Sequence, residues 1–391
     1  RIQIDGYNNV IINGPIGSLQ NDEPRMAGNV LIDSQNGDIV ITAESGWIET
    51  EGRIVLTADN IDIAGVIKNA GATAPAPAGD PIPGNYEVVI DASSSVTLTG
   101  DVDALGSILI TVPNSFTLAG SVEAGGIETF EFITETRGFI DGGNERVRIE
   151  APNIAIDGGT GIDGPDGTPA DIVPGLSEGD TFQLGARIVA SGLIQLVTPG
   201  GVVVSSASEL IVRHDNSLIY IDAQFVDILG NLYAGGVLLG ELPGVNWVGE
   251  GAGIQILADD MVTFGGSENA TDLDVLNGDA PAEGVSIVRG GSAQATGAVT
   301  ITVAGGATPM FSLNQLSFIK TDAEAVSSPT PGLFSSVNIT TDNGIDIAGV
   351  IQSLDPGSDV SLTSGTGILL ISGFVEADDQ LTLTGATSLS I

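Results

Sequence analysis

The sequence predicts an all-β chain wound as a parallel β-helix, a β-solenoid in which one short strand-bend-strand unit recurs along the whole length. Three observations carry this expectation. The heptapeptide Ile61-Asp62-Ile63-Ala64-Gly65-Val66-Ile67 returns unchanged as Ile345-Asp346-Ile347-Ala348-Gly349-Val350-Ile351. Looser copies, written apolar-x-apolar-x-Gly-x-apolar, stand at 96–102, 116–122, 226–232 and 369–375. A shift of twenty residues superposes Val96 on Phe116, Leu98 on Leu118, Gly100 on Gly120, Val102 on Val122 and Ala104 on Ala124.

Each part of the unit has a physical reading. Alternate residues of a strand face the same side, so Ile61 and Ile63 point inward while Asp62 meets solvent. Gly65 stands at the bend, where a residue free of the usual dihedral limits is expected. In four copies an alanine follows two places beyond the motif, at Ala104, Ala124, Ala234 and Ala377.

In chain order, residues 1 to 67 show alternating pairs at Ile2/Ile4, Val10/Ile12, Val30/Ile32, Ile39/Ile41 and Ile54/Leu56. A second theme, apolar-x-apolar-Thr, occurs at 39–42 and 54–57 and returns at 96–99, 108–111, 299–302, 337–340, 360–363 and 381–384. Stretches rich in Pro, Gly, Ala or Ser interrupt the pattern near 70–86, 158–180 and 324–333, and read as loop excursions. Units of roughly 20–24 residues imply about 14–17 coils and a rod on the order of 70–80 Å. No shift of composition marks a boundary, so residues 1–391 read as a single elongated domain.

Composition bounds the function. Hydrophobic residues reach 42% and charged ones only 16%, too apolar a balance for a disordered chain. The net charge of −39 comes with eleven scattered basic residues and none between 321 and 391. Nothing there could track a phosphate backbone, so nucleic acid is excluded as a partner, and an anionic membrane would be repelled. Divalent cations or acidification are expected to raise stability, because stacked acids such as Asp103 beneath Glu123 are expected to face outward together. The absence of cysteine excludes disulfides, thiolate metal sites and a cysteine nucleophile. No apolar run reaches transmembrane length and no signal peptide opens the sequence. With Arg1 first, the chain reads as a processed product or a segment of a longer one.

The cadence Asn36-Gly37-Asp38-Ile39-Val40-Ile41-Thr42-Ala43, together with 61–67 and its copies, resembles the filamentous-haemagglutinin-like surface proteins of bacteria. It is equally similar to the very large strand-repeat bacterial surface proteins. That resemblance implies right-handed parallel β-helices used as rods, adhesins or coats. It also implies an extracellular place at the cell surface, self-association into a filament or lattice, and cell-surface glycans or other cells as partners. The secretion module that opens many such adhesins is not recognisable in residues 1–30.

Three candidates for chemistry stand against this structural expectation. Arg213-His214-Asp215, with Asp222 nearby, holds the sole histidine beside a carboxylate, a reasonable general base; a histidine at a strand end is the plain alternative. Asp259-Asp260 resembles the paired acids of pectin-degrading enzymes, but the His- and Lys-bearing motifs of those enzymes are missing. Residues 158–166 resemble one nonapeptide of the calcium-binding repeat family, with Pro165 where a large apolar residue belongs and no second copy following. Asp157, Asp163, Asp166 and Asp171 are the hard oxygen ligands that calcium would take in that loop; a solvated acidic loop is the alternative. No catalytic residues are assigned. The functional expectation is an extracellular structural rod that is not an enzyme. The alternative is a carbohydrate-active β-helix with Trp47, Trp247 or tyrosines along a shallow groove.

Overall fold

The computed structural model describes residues 1–17, 19–20, 23–24, 28–43, 45–69, 86–118, 121–124, 146–156, 160–162, 181–183, 186–205, 208–213, 217–235, 251–265, 290–306, 310–321, 335–385 and 387–390. Every regular element among them is a β-strand, as the sequence predicts. No helix is long and apolar enough to cross a membrane.

The chain contributes to three ladders in turn and then repeats. Ser107–Thr111, Ser115–Leu118 and Ser121–Ala124 form one tier, Arg146–Glu150, Ile154–Ile156 and Arg187–Ala190 the next. Each strand pairs in parallel with its counterpart one tier on: Ile108 with Val147, Phe116 with Ile154, Val122 with Ile188. Strand residues alternate between buried and accessible, and the buried set stacks into columns. Ile32, Leu56, Ile90, Ile110, Ile149, Leu196, Ile221, Ile256, Ile301, Ile339 and Leu362 form one such column through successive register pairs. None is more than 1% exposed. The twenty-residue shift read from the sequence is the register of the structure, with Val96 on Phe116, Leu98 on Leu118 and Val102 on Val122.

The strand pairing corrects the expected right-handed parallel β-helix. Tyr86–Leu98 and Leu218–Ile228 run through a corner at which other tiers break, and each pairs in two ladders. Between them a ring of pairs closes. From Tyr86–Leu98 it passes through Ser107–Thr111, Arg146–Glu150 and Leu193–Val197 to Leu218–Ile228. It returns through Gly201–Val204, Ile154–Ile156 and Ser115–Leu118. In hydrogen-bond topology this is a closed eight-stranded parallel barrel with further strands outside it, where the expectation has only open faces. A separate, open parallel sheet runs from Pro15–Ile16 to Phe374–Ala377 and has twelve strands, fewer than the 14–17 coils expected. At about 4.8 Å a step its span is roughly 50 Å, not 70–80 Å.

Proline accompanies the breaks inside this ring, although the corners at 35–38, 342–343 and 365–367 break without one. Pro113, Pro152 and Pro199 stand at the interrupted corners, where the missing N–H and fixed φ end a ladder. The corresponding corners of the two long strands, Asp91-Ala92-Ser93-Ser94 and Asp222-Ala223-Gln224, hold no proline, and pairing continues.

The repeated glycine also has a different cause from the one expected. Gly65, Gly100, Gly349 and Gly373 do not have positive φ. They lie one above another instead, with Asp101 N donating to Gly65 O at 3.1 Å and Phe374 N to Gly349 O at 2.9 Å. A Cβ on Gly65 would stand 2.1 Å from Gly46 O, and one on Gly100 or Gly373 2.0 Å from the glycine carbonyl of the preceding tier. The requirement is space, not dihedral freedom.

The alanines two places further on share one register column, Thr50, Asn69, Ala104, Ala124, Ala190, Val212, Ala234, Ala295, Thr321, Ser353 and Ala377, and Ala104, Ala190, Ala234 and Ala295 of it are buried. Its polar members make hydrogen bonds, Asn69 Nδ2 donating to Gly52 O at 2.7 Å and the Thr321 and Ser353 hydroxyls standing 2.7 Å apart, while Asn69 Oδ1 is buried without a partner. Asp103 pairs with Glu123 as the repeat implies, but it is buried, not outward-facing. Its other neighbour is Lys68, which lies between Glu49 and Asp103 and offsets the like-charge contact.

Of the three excursions, 70–85, 163–180 and 324–333 lie outside the described residues. Within 158–183, Thr160–Ile162 pairs antiparallel with Thr181–Gln183.

Candidate functional site

The prolines that break the ladders also shape the surface. In the gap that the ring leaves at its interrupted corner, the surface forms an open hollow of about 510 Å³ rimmed by Pro113, Pro152 and Pro199. Its polar wall is Asp91, Thr111 and Glu150, which are successive members of one outward column that continues to Val197 and Asp222. Two ladder steps separate Asp91 from Glu150, about 9.6 Å between their backbones.

The two acids are held differently. Arg148 Nε donates to Glu150 Oε1, and Arg148 Nη1 to Gln195 Oε1 at 2.8 Å, so the guanidinium keeps Glu150 oriented beside the cavity. Burial pushes the Asp91 carboxyl above the ordinary carboxylate value. Two tiers beyond Glu150, Tyr220 OH donates to Asp222 Oδ2 at 3.2 Å. The Tyr220 hydroxyl is raised by burial, then by the Asp222 charge and the hydrogen bond it donates to that carboxylate. The cavity thus offers the Asp91 carboxyl, the Arg148-paired carboxyl of Glu150 and a threonine hydroxyl above a largely apolar floor. That set can hydrogen-bond a hydroxyl-rich ligand. Its acids stand too far apart to close on a single ion, and among the described residues no group of three or more possible ligands could hold a metal.

The residues singled out in the sequence are not brought together here. Asp157, Asp163, Asp166 and Asp171 lie outside the described residues, as do His214, Asp215 and Trp247. Arg213 is buried at the end of Glu209–Val212 in the twelve-stranded sheet, whereas Asp222 lies in the closed ring. Asp259 and Asp260 occupy a corner of the strand Gly253–Phe264, where Asp260 Oδ2 accepts from Gln224 Nε2 at 2.7 Å and Asp259 O from Gly306 N at 2.8 Å. Those contacts lock a bend; they do not form a catalytic pair. Sequence reasoning missed the Asp91–Glu150 cavity. The available signal was the recurrence of Pro-Asn or Pro-Gly at 113–114, 152–153 and 199–200.

Asp227 adds a second strained carboxylate. Half-buried, it is also pushed up by desolvation, and its Oδ1 is enclosed without a hydrogen-bond partner. Asp91 and Asp227 therefore have folded-state pKa values above the unfolded value of 3.8. Between those values the folded state binds more protons, so stability rises as pH falls through the raised values and stops gaining near 3.8. Thermal melts are expected to show a higher Tm as pH is lowered from neutral, and Asp227→Asn is expected to flatten that rise. An unchanged pH profile in Asp227→Asn would show that this carboxyl is already solvated.

Comparison with known protein families, with curated protein sequences and with solved structures returns no match.

Proposed function

We propose that this protein is an extracellular structural protein of a bacterial cell surface that assembles with copies of itself into filaments or a lattice. The observation that carries the reading is the single, predominantly aliphatic core cluster that runs among the described residues from Ile12 to Ile371. Such a core resists lateral deformation and commits the sequence to architecture, while the outward acids are dispersed. The likeness of the 36–43 and 61–67 motifs to bacterial surface proteins supports the location and an adhesive extension of the role toward glycans or other cells. Phe374–Ala377, Leu381–Gly385 and Ser388–Ser390 each pair on one side only. Phe374, Leu381 and Leu389 beside them are 43–51% exposed. Exposed apolar side chains of this kind support contact between copies.

Sedimentation of the 391-residue polypeptide, with electron micrographs of the same samples, tests the assembly. The expected result is growth of the particles with concentration into filaments or sheets; a monomer at every concentration removes self-association. The cavity favours a second reading, a carbohydrate-active protein, because Asp91 and Glu150 place two carboxyls on one wall of it, the second oriented by Arg148. Release of reducing ends from a neutral polysaccharide would favour this over the first reading.

A further inference from the structure

Four successive strands, Val299–Val303, Ser336–Thr341, Asp359–Ser364 and Leu381–Gly385, carry two parallel columns of hydroxyl and amide side chains on their outer side. One column is Thr300, Asn338, Ser361 and Thr382; the other is Thr302, Thr340, Thr363 and Thr384. The register runs through all four strands without a shift. Behind them Val299, Ile301, Val337, Ile339, Val360 and Leu362 are fully buried, which fixes the backbone plane. Threonine is stiff at χ1, so its hydroxyl and methyl keep set positions.

Charge and hydrogen bonding distinguish this part of the ladder. On earlier strands the same two columns hold Arg148 and Glu150, then Tyr220 and Asp222, bonded to one another. Here neither column contains a charge, and the four threonine hydroxyls of the second column make no hydrogen bond among the described residues. The one amide contact, Asn338 Nδ2 to Ser336 Oγ at 3.0 Å, leaves its carbonyl oxygen outward. The result is a flat grid of unspent donors and acceptors, about 4.8 Å apart along the ladder and about 6.7 Å across it.

A dissolved ligand is recognised by converging groups in a hollow, and this face has neither. A flat periodic grid suits a target that is itself periodic. The repeat along the ladder is close to that between water oxygens on the surface of hexagonal ice. Hydroxyls at that spacing can occupy lattice positions while the methyls fill the hollows between them. A charged side chain would instead hold its own disordered hydration shell; neither column carries one, and the nearest, Asp359, stands at the margin of the grid beyond Ser361, where its Oδ1 accepts from Gln380 N at 3.1 Å. We propose that the face formed by Thr300, Thr302, Thr340, Thr363, Thr382 and Thr384 binds ice. This does not depend on self-assembly or on the role proposed above.

The test is adsorption of the folded 391-residue polypeptide to a growing ice surface, with inhibition of ice recrystallisation as a second readout. Wild-type protein is expected to adsorb and to arrest recrystallisation. Thr340→Lys combined with Thr363→Lys is expected to lose both while keeping its melting curve, since both side chains point outward. The uncharged pair Thr340→Gln and Thr363→Gln is expected to give the same loss by breaking the plane, should the lysines disturb folding. Gln352→Lys, on the twelve-stranded sheet, is expected to keep both activities. Exclusion of the wild type from ice, as for an inert protein, would overturn the proposal, and so would adsorption of the folded double variants at the wild-type level. A change of sedimentation in the double variants, with a wild type that ignores ice, would assign the face to contact between copies instead.

Discussion

Gly100→Ala is expected to lower the free energy of unfolding by about 3 kcal/mol, the upper end of what overpacking costs. The added Cβ would lie 2.0 Å from Gly65 O, inside any tolerable contact. Relieving it means lifting one tier off the next, and the bond from Asp101 N to Gly65 O, now 3.1 Å, would lengthen or break. A buried carbonyl left without its donor adds to the cost. Gly65→Ala and Gly373→Ala face the same obstruction, at 2.1 and 2.0 Å. Gly14 is the control, since no atom lies within 4 Å of its would-be Cβ. Gly14→Ala is expected to be neutral or to stabilise by about 0.5 kcal/mol through the unfolded chain. Urea unfolding of the four variants decides it. A Gly100→Ala protein as stable as Gly14→Ala would mean that the corners are not stacked in this way.

Phe311→Ala is expected to cost about 3–5 kcal/mol. Phe311 is fully buried, and its ring meets that of Phe264 at 6.2 Å between centroids with an interplanar angle of 54°. These are the only two phenylalanines among the described residues to form such a pair, in a core built, apart from Phe116, of isoleucine, valine, leucine and alanine. The neighbouring columns are held in register by backbone ladders on both sides, so the cavity left by the ring cannot collapse easily. A double-mutant cycle with Phe264→Leu and Phe311→Leu separates the ring contact, expected at about 1 kcal/mol, from simple burial. A loss below about 1 kcal/mol in Phe311→Ala would mean that the site relaxes and the core here is loose.

Both variants bear on how the chain encodes its structure. The isoleucines of 61–67 and 345–351 face the core because alternation along a strand is a local property, legible from spacing alone. The twenty-residue shift predicted the pairing of Val96 with Phe116 for the same reason: a repeat that conserves inward positions can stack only in that register. The acidic balance and the absence of cysteine likewise excluded whole classes of chemistry before any coordinates were considered. The candidate site was far less legible. Asp91 and Glu150 stand in different tiers, and the recurring prolines at 113, 152 and 199, though visible in the sequence, do not show that the two acids share one hollow.

Contacts between tiers decided the rest. Whether a corner interrupts its ladder depends on the pairing of the strands above and below, with proline marking only the breaks inside the ring, so the closed eight-stranded ring, unlike the strands in it, was not foreseeable from motif copies. The glycine of the repeat was visible in the sequence, but its cause was not: the obstruction comes from a carbonyl of the preceding tier, not from the residue's own dihedrals. Asp103 reads as an exposed acid in its own strand and is buried beside the column of Lys68. Periodicity determines which way a side chain points, because that is geometry within one strand. What it then meets is set by residues tens of positions away, and only the folded packing brings those into contact.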